Sequence, residues 1–193
     1  MVHSIQINGI HVRYLQKGQG DPFVLLHGFS FNGDTWAEMG LFDELAGRYN
    51  VFSFDMPYGP KSRSDKFEVK SRDEYADFLG QLLKGLDIDQ PLVLGASISG
   101  EVTLRYLSKG HSAKAAILAG PVGIQGLVPR LARIAVPLLA VWGERDNISS
   151  PDNGQILSGQ VRDARVHIIP DAGHACYLDK PGEFKALVRD FLS

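Results

Sequence analysis

Short apolar runs recur along this chain with helix-length segments between them, and that alternation restricts the fold more than any single motif. The runs are Phe23–Leu26, Val51–Phe54, Pro91–Leu94, Ala115–Ala119, Leu138–Trp142 and Arg165–Ile169. Strands separated by helices imply a mostly parallel, twisted sheet covered on both faces, an α/β class. Helices are expected over Leu41–Arg48, from the capping box Ser71-Arg72-Asp73-Glu74 to Leu86, over Ile98–Lys109, from Ser150-Pro151, and over Pro181–Leu192. Ahead of them, Ser4–Ile7 and Ile10–Leu15 flank Asn8-Gly9, a two-residue turn that favours an antiparallel hairpin. A chain of 193 residues is expected to form one domain, residues 1–193, able to bury roughly 70% of its extended surface.

One strand-to-helix junction carries chemistry. Gly95-Ala96-Ser97-Ile98-Ser99 follows Leu92-Val93-Leu94 and opens a helical segment. A serine on so tight a turn holds its hydroxyl exposed above the sheet, provided the residues two before and two after it are small. Gly95 and Ser99 meet that condition for Ser97, although glycine is commoner where Ser99 stands. Ser99 as nucleophile would put Glu101 at the crowded position, so the spacing selects Ser97.

A hydroxyl needs a base, and the base an orienting acid. Asp146 follows Leu138–Trp142, and His174 follows Arg165–Ile169, each in the loop after a strand. Those ends share one edge of a parallel sheet, and the order Ser, Asp, His suits this architecture. Asp55 also follows a strand, but Asp146 stands on the strand just before the one delivering His174; Asp171 is expected only to tighten the histidine loop. The oxyanion donors expected are the backbone N–H groups of Phe29, after His27-Gly28, and Ile98, after Ser97. His27 itself is expected to brace that loop through its ring.

Together Leu25-Leu26-His27-Gly28-Phe29, Phe54-Asp55-Met56-Pro57, the Ser97 turn, Trp142-Gly143-Glu144-Arg145-Asp146 and Gly173-His174 resemble the α/β-hydrolase superfamily from about Phe23 onward. More narrowly, Thr35-Trp36 and the stretch Ala172-Gly173-His174-Ala175-Cys176-Tyr177-Leu178-Asp179-Lys180-Pro181 resemble the small capless group of α/β-hydrolase domain-containing protein 14. The resemblance implies an α/β-hydrolase fold and, between Ala119 and Pro137, no cap domain, only a short helix near Val128–Ile134. The site is then expected to be shallow, roofed by Ser30–Trp36, Pro57–Val69 and Pro121–Gln125. One departure stands out: where many members have D-x-P-G-x-G-x-S, this chain has Asp55-Met56-Pro57-Tyr58-Gly59-Pro60-Lys61-Ser62, which leaves the shape of Tyr58–Lys66 open.

The function expected is a serine hydrolase, a carboxylesterase for short acyl esters, working through Ser97, Asp146 and His174. Two alternatives stay open: passage of the acyl group to or from a thiol or amine, as an acyltransferase, deacetylase or thioesterase, and a non-catalytic binding protein on the same fold. Phe31 and Trp36, with Cys176, are expected to wall the substrate pocket, core packing being their competing role. No cofactor is expected, because no glycine-rich loop has phosphate-cradle spacing, and no metal, because the histidines lack ligand spacing and there is one cysteine. A net charge of −2 gives no case for nucleic acid, and no run would insert in a membrane. Lys61, Arg63 and Lys66 are expected to be solvated loop charges. The single cysteine and the absence of a signal-like start fit a cytoplasmic address; a monomer is compatible with the sequence.

Overall fold

Successive side chains along the inner strands go to opposite faces, and both faces are dry. Val24 and Leu26 join one buried cluster while Phe23 and Leu25 join the other. Leu138, Ala140 and Trp142 likewise oppose Leu139 and Val141. That period-two division, with apolar residues in both sets, is what a sheet sandwiched between helices demands.

The computed structural model describes all 193 residues. Its sheet contains β1 (Val2–Ile7), β2 (Ile10–Lys17), β3 (Pro22–Leu26), β4 (Asn50–Phe54), β5 (Leu92–Ala96), β6 (Ala115–Ala119), β7 (Leu138–Gly143) and β8 (Ala164–Ile169). The spatial order is β1-β2-β4-β3-β5-β6-β7-β8. The hairpin β1–β2 forms around Asn8-Gly9, and β2 lies antiparallel to β4; every other neighbour is parallel. Leu25 of β3 sits opposite Ser53 of β4 on one side and Leu94 of β5 on the other. The chain therefore moves outward from β3 to β4 and then crosses to β5. This reversal opens a crevice at the carboxyl ends of β3 and β5, where ligands bind in such sheets.

Helices α3 (Asp73–Gly85), α4 (Ile98–Ser108), α5 (Val128–Leu131) and α6 (Asn153–Gln160) cover the larger core. Helices α1 (Thr35–Glu38), α2 (Leu41–Leu45), α7 (Cys176–Asp179) and α8 (Pro181–Leu192) cover the other. The short helices α1 and α7, and a 3₁₀ turn at Ile124–Leu127, add to the expected elements, while α2 stops at Leu45 rather than Arg48. The capping box forms on one side only: Glu74 accepts from the Ser71 N–H at 3.1 Å, but Ser71 Oγ accepts from Asp73 N–H.

Between β6 and β7 the chain packs down instead of rising over the site. Ile124, Leu127, Leu131 and Ile134 are all buried in the α3–α6 side core. That burial leaves no apolar face free to form a lid. No helix is long and apolar enough to cross a membrane.

Candidate active site

Ser97 stands between β5 and α4 with φ 55° and ψ −115°, a conformation costly for any residue with a Cβ. Neighbouring small residues make it feasible. A Cβ on Gly95 would lie 2.5 Å from the Ser99 carbonyl oxygen, and one on Gly100 would lie 2.8 Å from Pro121 Cβ. The strand is pinned where the turn begins by the Ser97 N–H, which donates to the Ala119 carbonyl at 2.8 Å.

Two loops bring base and acid to the hydroxyl. His174 Nε2 lies 2.8 Å from Ser97 Oγ, and His174 Nδ1 lies 2.8 Å from Asp146 Oδ2. The carboxylate only accepts, so Nδ1 carries the proton and Nε2 is left to accept from the serine. The other Asp146 oxygen accepts from the N–H groups of Ile148 and Ser149, both at 2.9 Å. Burial alone would raise the Asp146 carboxyl; the His174 bond and the two backbone donors outweigh it and hold it below the usual aspartate range.

Small residues let these loops converge. A Cβ on Gly143 would collide with the Gly173 and Ala172 carbonyls, and one on Gly120 would crowd His174 and Asp146. Asp179 accepts from the Gly173 N–H at 2.7 Å and so ties the histidine loop to α7. Ser149 Oγ donates to the Pro121 carbonyl at 2.6 Å, joining the acid loop to the segment after β6. Asp179 and Ser149 carry no signature in the sequence, because their roles depend on partners elsewhere in the fold. Asp171 tightens its loop as expected, pairing with Arg145 and donating its N–H to Glu144.

The loop after β3 borders Ser97 from the other side. A Cβ on Gly28 would lie 3.6 Å from Ser97 Cβ. The Phe29 N–H has no acceptor within the chain, and Ile98 starts α4 with its N–H free. Phe29 is fixed from behind by Gly59, whose φ is +84° and whose absent Cβ would fall 2.0 Å from the Phe29 carbonyl oxygen. Buried His27 braces the same loop: its ring donates from Nδ1 to the Gly28 carbonyl and accepts the Met56 N–H on Nε2. Burial lowers its pKa, which suits a ring that must stay neutral to make both bonds.

Asp55 is spoken for elsewhere. Its fully buried carboxylate accepts from the Gly33 N–H at 2.7 Å, the Arg63 N–H and Nε, and Arg13 Nη1. Arg13 and Arg63 also bind Asp34, so four charges clamp the Pro57–Val69 segment down. That segment lines none of the Ser97 cavity, contrary to the roof expected of it, and Arg63 is an ion-pair partner rather than a solvated charge. Ser99 is fully buried, with Oγ bonded to the His27 carbonyl and, at 2.6 Å, to Tyr58 OH. The two departures from the family pattern, Ser99 and Tyr58, are thus in contact with each other.

A cavity of about 210 Å³ opens beside Ser97, lined by Gly28–Phe31, Ile148, His174, Ala175 and Tyr177. Phe31 is there as expected. Trp36 and Cys176 are not: both are fully buried in the α7–α8 side core. Trp36 lies behind Tyr177 at 4.9 Å, and Cys176 Sγ faces the Val141 carbonyl, its thiol pushed up to about 12 mainly by burial. Successive helical residues point about 100° apart, so Tyr177 takes the wall position assigned to its neighbour. Pro121–Gln125 does not roof this cavity either; Val122–Gln125 borders an adjoining groove that shares Ile148.

A sequence profile described as alpha/beta hydrolase fold matches residues 21–127. Protein ABHD14A of Danio rerio is 35% identical over 88% of this chain, which spans only 63% of that protein. The human protein named "Putative protein-lysine deacylase ABHD14B" is 29% identical over 98% of this chain and 93% of its own length. Among solved structures, a predicted CIB-like hydrolase from Thermoplasma acidophilum superposes with a TM-score of 0.92 and 25% identity, covering 100% of this chain and 97% of that one. By profile, topology and relatives alike, the chain belongs to the α/β-hydrolase fold family and is of the ABHD14 type.

Proposed function

We propose that the chain is a serine hydrolase that cleaves carboxylic esters with short acyl groups. One observation carries the reading: the unbroken chain from Asp146 Oδ2 through the His174 imidazole to Ser97 Oγ, 2.8 Å at each link. As Ser97 Oγ bonds to the ester carbonyl carbon, His174 Nε2 takes its proton and Asp146 stabilises the resulting imidazolium. The oxyanion is received by the free N–H groups of Phe29 and Ile98. The alkoxy C–O bond then breaks, and His174 returns the proton to the leaving alcohol. Water repeats the sequence on the acyl-enzyme and releases the acid.

Acyl size follows from the cavity. At about 210 Å³ the cavity is smaller than the roughly 300–1,000 Å³ usual for small-molecule sites, which suits a few carbons beside the reacting atoms. With nitrophenyl esters, acetyl to butyryl substrates should exceed dodecanoyl by at least about tenfold in kcat/KM. Ser97→Ala should abolish turnover of all of them. Faster hydrolysis of dodecanoyl or longer esters would contradict the small-pocket reading, and undiminished turnover by Ser97→Ala would contradict the hydrolase itself.

The human relative's name favours a second reading, in which the acyl group comes from a lysine amine. The same triad would serve, with His174 protonating an amine instead of an alkoxide. Partition of the acyl-enzyme between water and added coenzyme A separates a hydrolase from a transferase.

A further inference from the structure

Two polar side chains of the Ser97 cavity are left idle by acyl transfer, Ser30 and Tyr177, and of these only Tyr177 is buried. Tyr177 is 3% exposed, and its ring is held by Trp36 at 4.9 Å, Phe184 at 5.9 Å and Phe31 at 6.2 Å. Its hydroxyl has no hydrogen-bond partner in the protein and is reached from the cavity, so a group bound there can pair with it. Packing alone would be served as well by phenylalanine.

The position of that hydroxyl indicates what it meets. The point where a Gly28 Cβ would stand lies 3.5 Å from Tyr177 OH, 3.6 Å from Ser97 Cβ and 3.5 Å from Phe31 Cδ2. Glycine therefore leaves open a carbon-sized space between the nucleophile and the phenol. The cavity also has an open side, since Phe29 and Ile148 are 53% and 66% exposed. Placing the leaving alcohol toward that exposed side gives the acyl group the space beside Tyr177. No lysine or arginine lines the cavity, so the group accommodated there is uncharged.

We propose that the Tyr177 hydroxyl is a specificity-determining donor to a neutral oxygen on the acyl group. The favoured substrates are then esters of short hydroxy or keto acids rather than of plain alkanoic acids of equal length. This rests on the serine hydrolase reading and deepens it. Burial holds the phenol above its usual pKa, so it remains a donor at any pH where His174 acts as base. A site built around a hydrogen bond discriminates against the analogue that lacks it, because the buried partner is then left unpaired.

Methyl butyrate, methyl 3-hydroxybutyrate and methyl acetoacetate share one leaving group and can be followed by pH-stat. Wild type should prefer the hydroxy or the keto ester over butyrate by at least about tenfold in kcat/KM, the worth of one hydrogen bond. In Tyr177→Phe, with near-UV circular dichroism and melting temperature checked against wild type, that ratio should fall to about one. A wild-type ratio near one, or a ratio that survives the substitution, overturns the proposal. So does an equal loss on all three esters, which would make the phenol a third oxyanion donor. Butyrate hydrolysis that disappears in Ser97→Ala upholds the hydrolase in each of those cases, so the two readings fail separately.

Discussion

Asp146→Asn should lower kcat by about 10⁴-fold with little change in KM, the size of loss known for amide replacement of a triad acid. The reason is local. Asp146 Oδ1 accepts from the Ile148 and Ser149 N–H groups, so an asparagine keeps its carbonyl oxygen there and turns its NH₂ toward His174. The imidazole must then accept on Nδ1 and carry its proton on Nε2, facing Ser97 as a donor instead of a base. Steady-state kinetics on a butyryl ester, with the melting temperature as a folding control, measure the effect. A loss below tenfold would contradict the assignment.

The same substitution alters acid stability in a fixed direction. The Asp146 carboxyl titrates below its ordinary value of 3.8 in the fold. Its contribution is therefore complete above that value and is lost as pH falls through the lower, folded one. The variant should lack that part of the acid dependence.

Gly59→Ala should cost about 10²–10³-fold in kcat, the usual loss for one oxyanion donor, although Gly59 touches no reacting atom. Its added Cβ would fall 2.0 Å from the Phe29 carbonyl oxygen, a backbone atom that cannot rotate aside. The Phe29–Ser30 peptide has to move, and because the Phe29 Cα would also be approached to 3.6 Å, the neighbouring Gly28–Phe29 peptide that carries the Phe29 N–H is displaced through it. A residue with a Cβ at φ +84° also bears conformational strain of about 1 kcal/mol on top of that clash, so the melting temperature should drop as well, and kcat is compared at a temperature where circular dichroism shows the variant folded. Matching kcat on butyryl and acetyl esters between the variant and wild type would show that the Phe29 N–H has no part in the reaction.

The sheet was legible because burial on both faces writes apolar runs such as Phe23–Leu26 directly into the sequence. Ser97, Asp146 and His174 were legible because each follows such a run, and parallel strands deliver their loops to one edge. Roles set by contacts between distant segments were not. Asp55 looks like a second acid until Arg13 and Arg63 are brought to it. Cys176 lies near His174 in sequence, but the four-residue helix α7 turns it into the core and presents Tyr177 instead. Ser99 and Tyr58 read as separate irregularities, and only the fold brings them within 2.6 Å, where serine's hydroxyl is satisfied in a place that glycine often fills.

Ester cleavage by this chain requires Ser97 to be an activated nucleophile in the folded protein. A fluorophosphonate reports this directly, since attack by the serine oxygen expels fluoride and leaves a stable phosphonyl ester. Peptide mass spectrometry should place one adduct on Ser97 of native wild type, none on denatured protein or on Ser97→Ala, and labelling at least about a hundredfold slower in His174→Ala. No adduct on Ser97 in the folded chain, or labelling indifferent to His174, would contradict the account.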